Sequence, residues 1–528
     1  MAGSADQTLG NGADRGGHGS GLARVRIDVD VHEAAHGRGA GLARTEDPEA
    51  VGDAARAEAL DREPHFERIR ERQRPEVAAA GLDDEADGGQ RADIDAARLD
   101  QPAVHRGVEE RVIRDIVDVA VVIIVHPARR HGAEHGIPGA GRRLRSHATI
   151  VVMKTRAAVL DAMGLPSPYA ATHPLAIAAI DLDPPGPGEV LVAMRAAGLC
   201  HSDLSVIDGN RPRPLPMVLG HEAAGVVEAL GEGVTGLAIG DHVITTFVPS
   251  CGACEPCGIG RPALCEPGAA SNVAGTLPGG ARRLHRAGAD VLHHLGVSAF
   301  ADHAVVSRRS LVRIDRDLPF DVAALFGCAV LTGVGAVVNT AALRAGSRVG
   351  VVGLGGVGLA ALLGARARGA GLLLAIDLSP AKRSLALELG ATHVLDAADP
   401  DVVAQARELT RGGADVAFEM AGSAQAMDLA YRITRRGGTT VTAGLSPPAA
   451  LFSVPHVGIV AEERAIRGSY MGGADPARDI PRYIAWYRAG KLPVDRLLSH
   501  RLGLDEINAG FDRLASGDAV RQVVVFDR

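Results

Sequence analysis

The stretch "RVGVVGLGGVGLAALLGARARGAGLLLAID", residues 348–377, decides the fold. It reads as a strand, a glycine turn, a helix and a second strand. Gly353, Gly355 and Gly358 supply a G-x-G-x-x-G pattern. The first glycine permits a tight turn, the second lets backbone approach a pyrophosphate, and the third lets helix and strand pack closely. The helix, expected from Leu359, offers free N–H groups and a positive dipole end to that pyrophosphate. A bare glycine pattern is weak evidence. This one has a strand before it, a helix after it and an acid, Asp377, about twenty residues on. A carboxylate there accepts hydrogen bonds from ribose hydroxyls and repels the extra phosphate of NADP, so NAD is the expected coenzyme.

Working outward, strand and helix signals keep alternating. A helix is expected at 381–389, a strand at 415–419, a helix at 424–434 and a strand at 438–443. That rhythm is the signature of a doubly wound parallel sheet.

Upstream lies a second deciding stretch, "CGACEPCGIGRPALC", residues 251–265. Cys251, Cys254, Cys257 and Cys265 are separated by two, two and seven residues. The chain has six cysteines in 528 residues, far too few for a disulfide scaffold. Its opening, "MAGSADQTLGNGADRGG", lacks the apolar core of a secretory signal. A reducing, cytoplasmic location is therefore expected, where four close thiols hold metal more often than they form disulfides. Such a Cys₄ set favours a structural zinc ion. The remaining cysteines, Cys200 in "GLCHSD" and Cys328 in "FGCAVLTGVGAVVNTA", and His221 in "GHEAAGVVEALGEGV" are left as further soft ligands. Two cysteines and a histidine with an open fourth position are one catalytic zinc pattern. Two buried cysteines and a hydrogen-bonded histidine are an equally good reading of spacing alone.

Composition narrows the rest. A hydrophobic fraction of 46% allows large cores, and a net charge of −7 argues against a general nucleic-acid binder. The apolar run at 117–125 is about half the ~20 residues that a membrane-spanning helix needs. Residues 1–152 differ from the remainder. They are rich in Ala, Gly, Arg, Asp and His, hold no cysteine, tyrosine or tryptophan, and have patchy periodicity. Such a segment buries little apolar area against its ordering entropy, so it is expected to be disordered or a wrongly assigned start, with Met153 the true beginning. Within it, "HGAEH" at 131–135 fits the H-x-x-E-H pattern of zinc proteases, but its Gly- and Pro-rich surroundings suit no helix.

With these motifs in register, residues 153–528 resemble the zinc-dependent, medium-chain alcohol dehydrogenases. The order is that family's order: Cys, GHE, Cys₄ lobe, second Cys, glycine turn. The resemblance implies a mainly β, GroES-like catalytic domain at 153–329, a Rossmann domain at 330–472 and a return to the catalytic domain at 473–528. It further implies two zinc ions per chain. Cys200, His221 and Cys328 would hold the catalytic one, and Cys251, Cys254, Cys257 and Cys265 the structural one. Glu222 would stand beside the catalytic metal, Asp203 would orient His221, and Ser202 would take the alcohol proton. His201, Thr332, Gly353, Gly355, Gly356, Val357, Gly358, Asp377, Lys382, Leu445 and Arg521 would contact coenzyme, and Phe247 would line the substrate pocket.

The implied reaction is reversible oxidation of a primary aliphatic or aromatic alcohol to an aldehyde, with NAD as hydride acceptor. Two departures stand out. Ser205 occupies the position where some members end a proton relay with histidine. The loop "DGNRPRPLP", residues 208–216, carries Arg211 and Arg213 where users of the glutathione adduct of formaldehyde carry acids. That adduct is the alternative substrate, and a zinc-free NAD(P)H reductase the alternative class. The long segment between Cys265 and Phe300 resembles an insertion of dimeric members, so a homodimer is expected, with neither nucleic acid nor membrane as partner.

Overall fold

The computed structural model of the protein describes residues 152–527. The expectations placed on 1–151, including the 131–135 pattern, lie outside the described residues.

The apolar strands bounded by glycine turns form one six-stranded sheet. Across it lie His393–Asp396, Leu372–Asp377, Arg348–Val352, Ala414–Glu419, Thr434–Thr442 and Ala465–Gly468. Every pairing is parallel. The chain enters at Arg348–Val352, winds to one edge and returns to fill the other side. This leaves a crevice between Arg348–Val352 and Ala414–Glu419, where such sheets take ligands. The central strands are near-continuous Val, Leu and Ala because helices cover both faces. Among the intervening helices, Pro380–Glu388 and Ala424–Ile433 lie close to the expected bounds, and Val402–Leu409 and His456–Glu462 are additional. The helix after the glycine turn begins at Gly356, not at Leu359, and runs to Ala367. Gly358 therefore sits in its first turn, where an added Cβ would lie 1.8 Å from the Gly353 carbonyl oxygen.

The other half is mainly β. Met153–Leu160, Leu175–Leu182, Leu284–Arg286, Ala289–His293 and Met217–Val218 close a small barrel. A seven-stranded sheet lies beside it. It places Glu189–Gly198 between Glu222–Leu230 and Arg521–Val525, with His303–Ser307 also pairing on Glu189–Gly198. The last strand, Arg521–Val525, is thus built into the sheet that carries Cys200 at its end.

A continuous helix, Phe320–Thr340, joins the two halves. It is 21 residues long and apolar enough to cross a membrane, longer than the apolar run counted in the sequence, yet 89% of its apolar window is buried inside the protein. It is the central core helix. Its Val334 meets Gly364 of the following helix, and a Cβ at Gly333 would lie 2.2 Å from the Val357 carbonyl oxygen. Each fully buried Leu or Val along this seam contributes about 1.5–3 kcal/mol. The helix widens into π turns at Phe326–Val330 and Ala336–Thr340. Such turns recur at functional sites, and the first one holds Cys328.

Candidate active site

Three elements deliver the soft ligands. Strand Glu189–Gly198 ends just before Cys200, the cap of helix His201–Ile207. Gly220 turns the chain at a φ of 92°, a backbone region that side chains avoid, and an added Cβ there would lie 2.6 Å from the Phe300 nitrogen. That turn sends the next residue, His221, inward. The π turn supplies Cys328. Cys200, His221, Glu222 and Cys328 are all buried, with one donor atom of each within 4.8 Å of the others. Cys328 Sγ lies 3.5 Å from His221 Nε2. Zinc bonds of about 2.3 Å to sulfur and 2.0 Å to nitrogen put tetrahedral S and N donors roughly 3.5 Å apart. The donor set and its spacing fit zinc.

Behind His221, its Nδ1 lies 3.1 Å from the fully buried carboxylate of Asp203. Asp203 also accepts from the Gly220 amide at 3.0 Å and stands 3.3 Å from His294 Nε2. These contacts fix the ring so that Nε2 faces the thiols, as ligand histidines require. Charge is redistributed accordingly. The Cys200 thiol is held well below its ordinary range, first by its hydrogen bond with Cys328 and then by His221, while the same bond raises Cys328. Burial pulls His221 down, but Asp203 and Cys200 together carry it above the usual histidine value. Burial raises Asp203 and pushes Glu222 up to about 7, with Arg521 opposing the latter.

Glu222 faces Arg521, whose Nη1 lies 2.9 Å from Oε1; Oε2 has no hydrogen-bond partner among the described residues. Arg521 also packs on the glycine turn, since a Cβ at Gly356 would lie 1.9 Å from its Nε, itself unpartnered among the described residues. Beside it, Gly355 has open space where a Cβ would project. An open pocket at a helix N-terminus with an unpartnered, buried guanidinium nitrogen fits a pyrophosphate. Asp377 pins the turn by accepting from the Leu354 amide at 2.6 Å and the Ser379 amide at 2.8 Å. Lone pairs remain on both of its oxygens for ribose hydroxyls.

The Cys₄ lobe is equally well formed. Cys251, Cys254, Cys257 and Cys265 bring their sulfurs within 4.8 Å of one another, and none forms a disulfide. Backbone amides of Ala253 and Cys254 donate to Cys251 Sγ, and those of Cys251 and Gly268 donate to Cys265 Sγ. Amides aimed at sulfur favour the thiolate, the form that binds metal. They lower Cys251 to about 6, whereas burial raises Cys257 to about 12.

One cavity joins the halves. Cys200, His221 and Cys328 line it together with Ser202, Phe247, Thr332, Val357 and Leu445. The structure thus brings these eight residues together. His201, Asp377 and Lys382 do not line it. The Phe247 ring stands edge-on to His221, with centroids 5.5 Å apart. Ser205 does not reach the cavity, and its hydroxyl donates to the His201 carbonyl at 2.7 Å. Sequence reasoning missed His294 and Tyr470, which also line the space. His294 could have been suspected from the pair in "HHLG", whereas "SYMGG" around Tyr470 has no signature.

A dinucleotide-binding sheet joined to a β half that presents a buried Cys₂His cluster defines a metal-dependent oxidoreductase. Residues 186–316 match the family model described as alcohol dehydrogenase GroES-like domain, and residues 356–489 match that of zinc-binding dehydrogenase. The NDMA-dependent alcohol dehydrogenase of Amycolatopsis methanolica is 40% identical over 71% of this chain and 99% of its own length. The S-(hydroxymethyl)glutathione dehydrogenase of Paracoccus denitrificans is 36% identical over 71% of this chain and its entire length. Among solved structures, benzyl alcohol dehydrogenase from Acinetobacter calcoaceticus superposes with a TM-score of 0.67 at 31% identity, covering 71% of this chain and all of that one. The chain belongs to the zinc-dependent, medium-chain alcohol dehydrogenase family and is an oxidoreductase.

Proposed function

We propose that the enzyme oxidises a primary alcohol to the aldehyde with NAD as coenzyme, holding two zinc ions per chain. The carrying observation is the placement of Cys200, His221 and Cys328 in the wall of a cavity shared with Thr332 and Val357 of the nucleotide half. Cys200, His221 and Cys328 would hold zinc, which would supply a Lewis acid for the alcohol oxygen. The glycine turn would hold NAD, which would supply the hydride acceptor. The protein's own residues do the rest. Ser202 lies where its hydroxyl can take the substrate proton, and Asp203 keeps His221 aimed at the thiols. Phe247 provides an apolar wall that excludes water. Arg521, beside Gly356, neutralises charge both at the pyrophosphate and on Glu222. With Ser205 bonded to its own helix, the proton leaves by way of water. Asp377 favours NAD over NADP, His201 and Lys382 flank the coenzyme phosphates and ribose, and the Cys₄ lobe holds its zinc for structure alone.

The test is Cys200→Ser. It abolishes turnover while NAD binding stays measurable by titration of intrinsic fluorescence. Full activity in a Cys200→Ser protein shown to lack the catalytic zinc overturns the reading.

A second reading concerns the electron acceptor. The Amycolatopsis relative is named NDMA-dependent, which favours a coenzyme that stays bound and is reoxidised by an added acceptor. Assays with NAD alone and with NDMA added distinguish the two. The long segment after Cys265 supports a homodimer, which light scattering checks. A cytoplasmic location is in keeping with six free thiols.

A further inference from the structure

Two positive charges in the site cavity have no assigned work. Arg211 and Arg213 line the same space as Cys200, His221 and Ser202. Both are partly buried. Among the described residues, neither guanidinium forms a hydrogen bond or an ion pair with a carboxylate. The loop's own acid is spent elsewhere, since Asp208 accepts from the Asn210 amide and side chain, both at 2.8 Å. Pro212 and Pro214 alternate with the arginines. Fixed φ angles at the prolines limit how far the arginines can swing away. Arg213 is lowered first by burial and then by Arg211, so the two charges feel each other. Like charges kept together in a half-buried wall cost free energy that an anion between them removes. Phe247, Leu295 and Met471 give the same cavity an apolar stretch of wall that would take a hydrocarbon body.

We infer that the natural substrate is an alcohol bearing a carboxylate away from its hydroxyl, received by Arg211 and Arg213. This rests on the reading that the cavity holds the alcohol. The arginines select by charge: carboxylate-bearing alcohols are accepted, and cationic ones are rejected.

The experiment uses the zinc-loaded full chain and matched pairs, hydroxyhexanoate against hexanol and hydroxymethylbenzoate against benzyl alcohol. Rates are followed with NAD alone and with NDMA added. The ratio of kcat/KM, charged over neutral, is expected to be about tenfold or more, the scale of one charge-assisted hydrogen bond. In Arg211→Gln/Arg213→Gln the ratio falls by about the same factor. In Arg211→Glu/Arg213→Glu the preference turns toward an amino alcohol. Added salt lowers the wild-type ratio. Each variant is checked for zinc content and melting temperature, and Arg211→Gln alone serves if a double variant does not fold. A wild-type ratio near one, or the same ratio in the glutamine variant, overturns the proposal. Should no alcohol turn over, the proposed reaction fails, but calorimetry with hexanoate and hexanamide still decides this one. Tighter binding of hexanoate, lost in the glutamine variant, supports it; equal binding overturns it.

Discussion

Arg521 and Glu222 meet at 2.9 Å, both buried, although 299 residues separate them in the chain. The pair ties the last strand of the sheet to the residue after the metal-site histidine. Removing one partner of a buried pair leaves the other charge uncompensated, at about 3–5 kcal/mol. Arg521→Met is therefore expected to lower stability by about 3 kcal/mol. Denaturant unfolding of the zinc-loaded protein measures it, and a loss restored by Glu222→Gln in the same chain assigns it to the pair.

Asp203 holds His221 by its Nδ1 and takes the Gly220 amide as well. Loss of such a carboxylate behind a ligand histidine costs roughly 10–100-fold in metal affinity. Asp203→Ala should lower zinc affinity by that factor in competition with a chromophoric chelator. An unchanged affinity would mean that the Gly220 turn and the packing of Phe247 and His294 position the ring without the carboxylate.

The Cys₄ lobe predicts a stoichiometric result. Cys254→Ser removes one ligand from a closed set, and structural zinc sites contribute folding energy directly. Metal analysis should fall from two zinc ions to one, with a lower melting temperature. A variant that keeps both ions would show that three thiols suffice.

His293 gives the protein a pH sensitivity of its own. It is fully buried, its Nε2 accepts from the Arg283 amide at 3.1 Å, and burial pushes its pKa down to about 3. The unfolded chain takes up this proton near the ordinary value of about 6.5 while the folded chain does not. The neutral form's contribution is thus complete above about pH 6.5 and is lost as pH falls toward 3. At about pH 5 the loss is about 2 kcal/mol. His293→Gln keeps an acceptor without the titration, so its melting temperature should drop less between neutral pH and about pH 5 than that of wild type. Equal drops in the two proteins would sink the idea.

Much of the site was legible because its chemistry is written locally. The glycine turn needs its residue types at fixed spacing, and the lobe packs its ligands into one short segment. The helix start was misplaced at Leu359 because glycine is a poor helix former. At Gly356 and Gly358 the close approach of Arg521 and the Gly353 carbonyl overrides propensity. The same reason hid the helix Phe320–Thr340, whose Gly327 and Gly335 sit against the carbonyls of Thr245 and Gly472. Spacing could not pair Cys200 with Cys328; resemblance to a family did. Nothing in the sequence could pair Arg521 with Glu222, because their contact exists only once both sheets are built.

The position of strand Arg521–Val525 also sets an order of assembly. It pairs with Glu189–Gly198, yet it is made after every metal ligand and the whole nucleotide half. A growing polypeptide on the ribosome therefore displays Cys200, His221 and Cys328 long before Arg521 emerges to neutralise Glu222. During that interval the ligands stand beside an unpaired carboxylate in an incomplete sheet. A zinc ion taken up by Cys200, His221 and Cys328 would therefore meet its completed surroundings only after the last strand has joined the sheet.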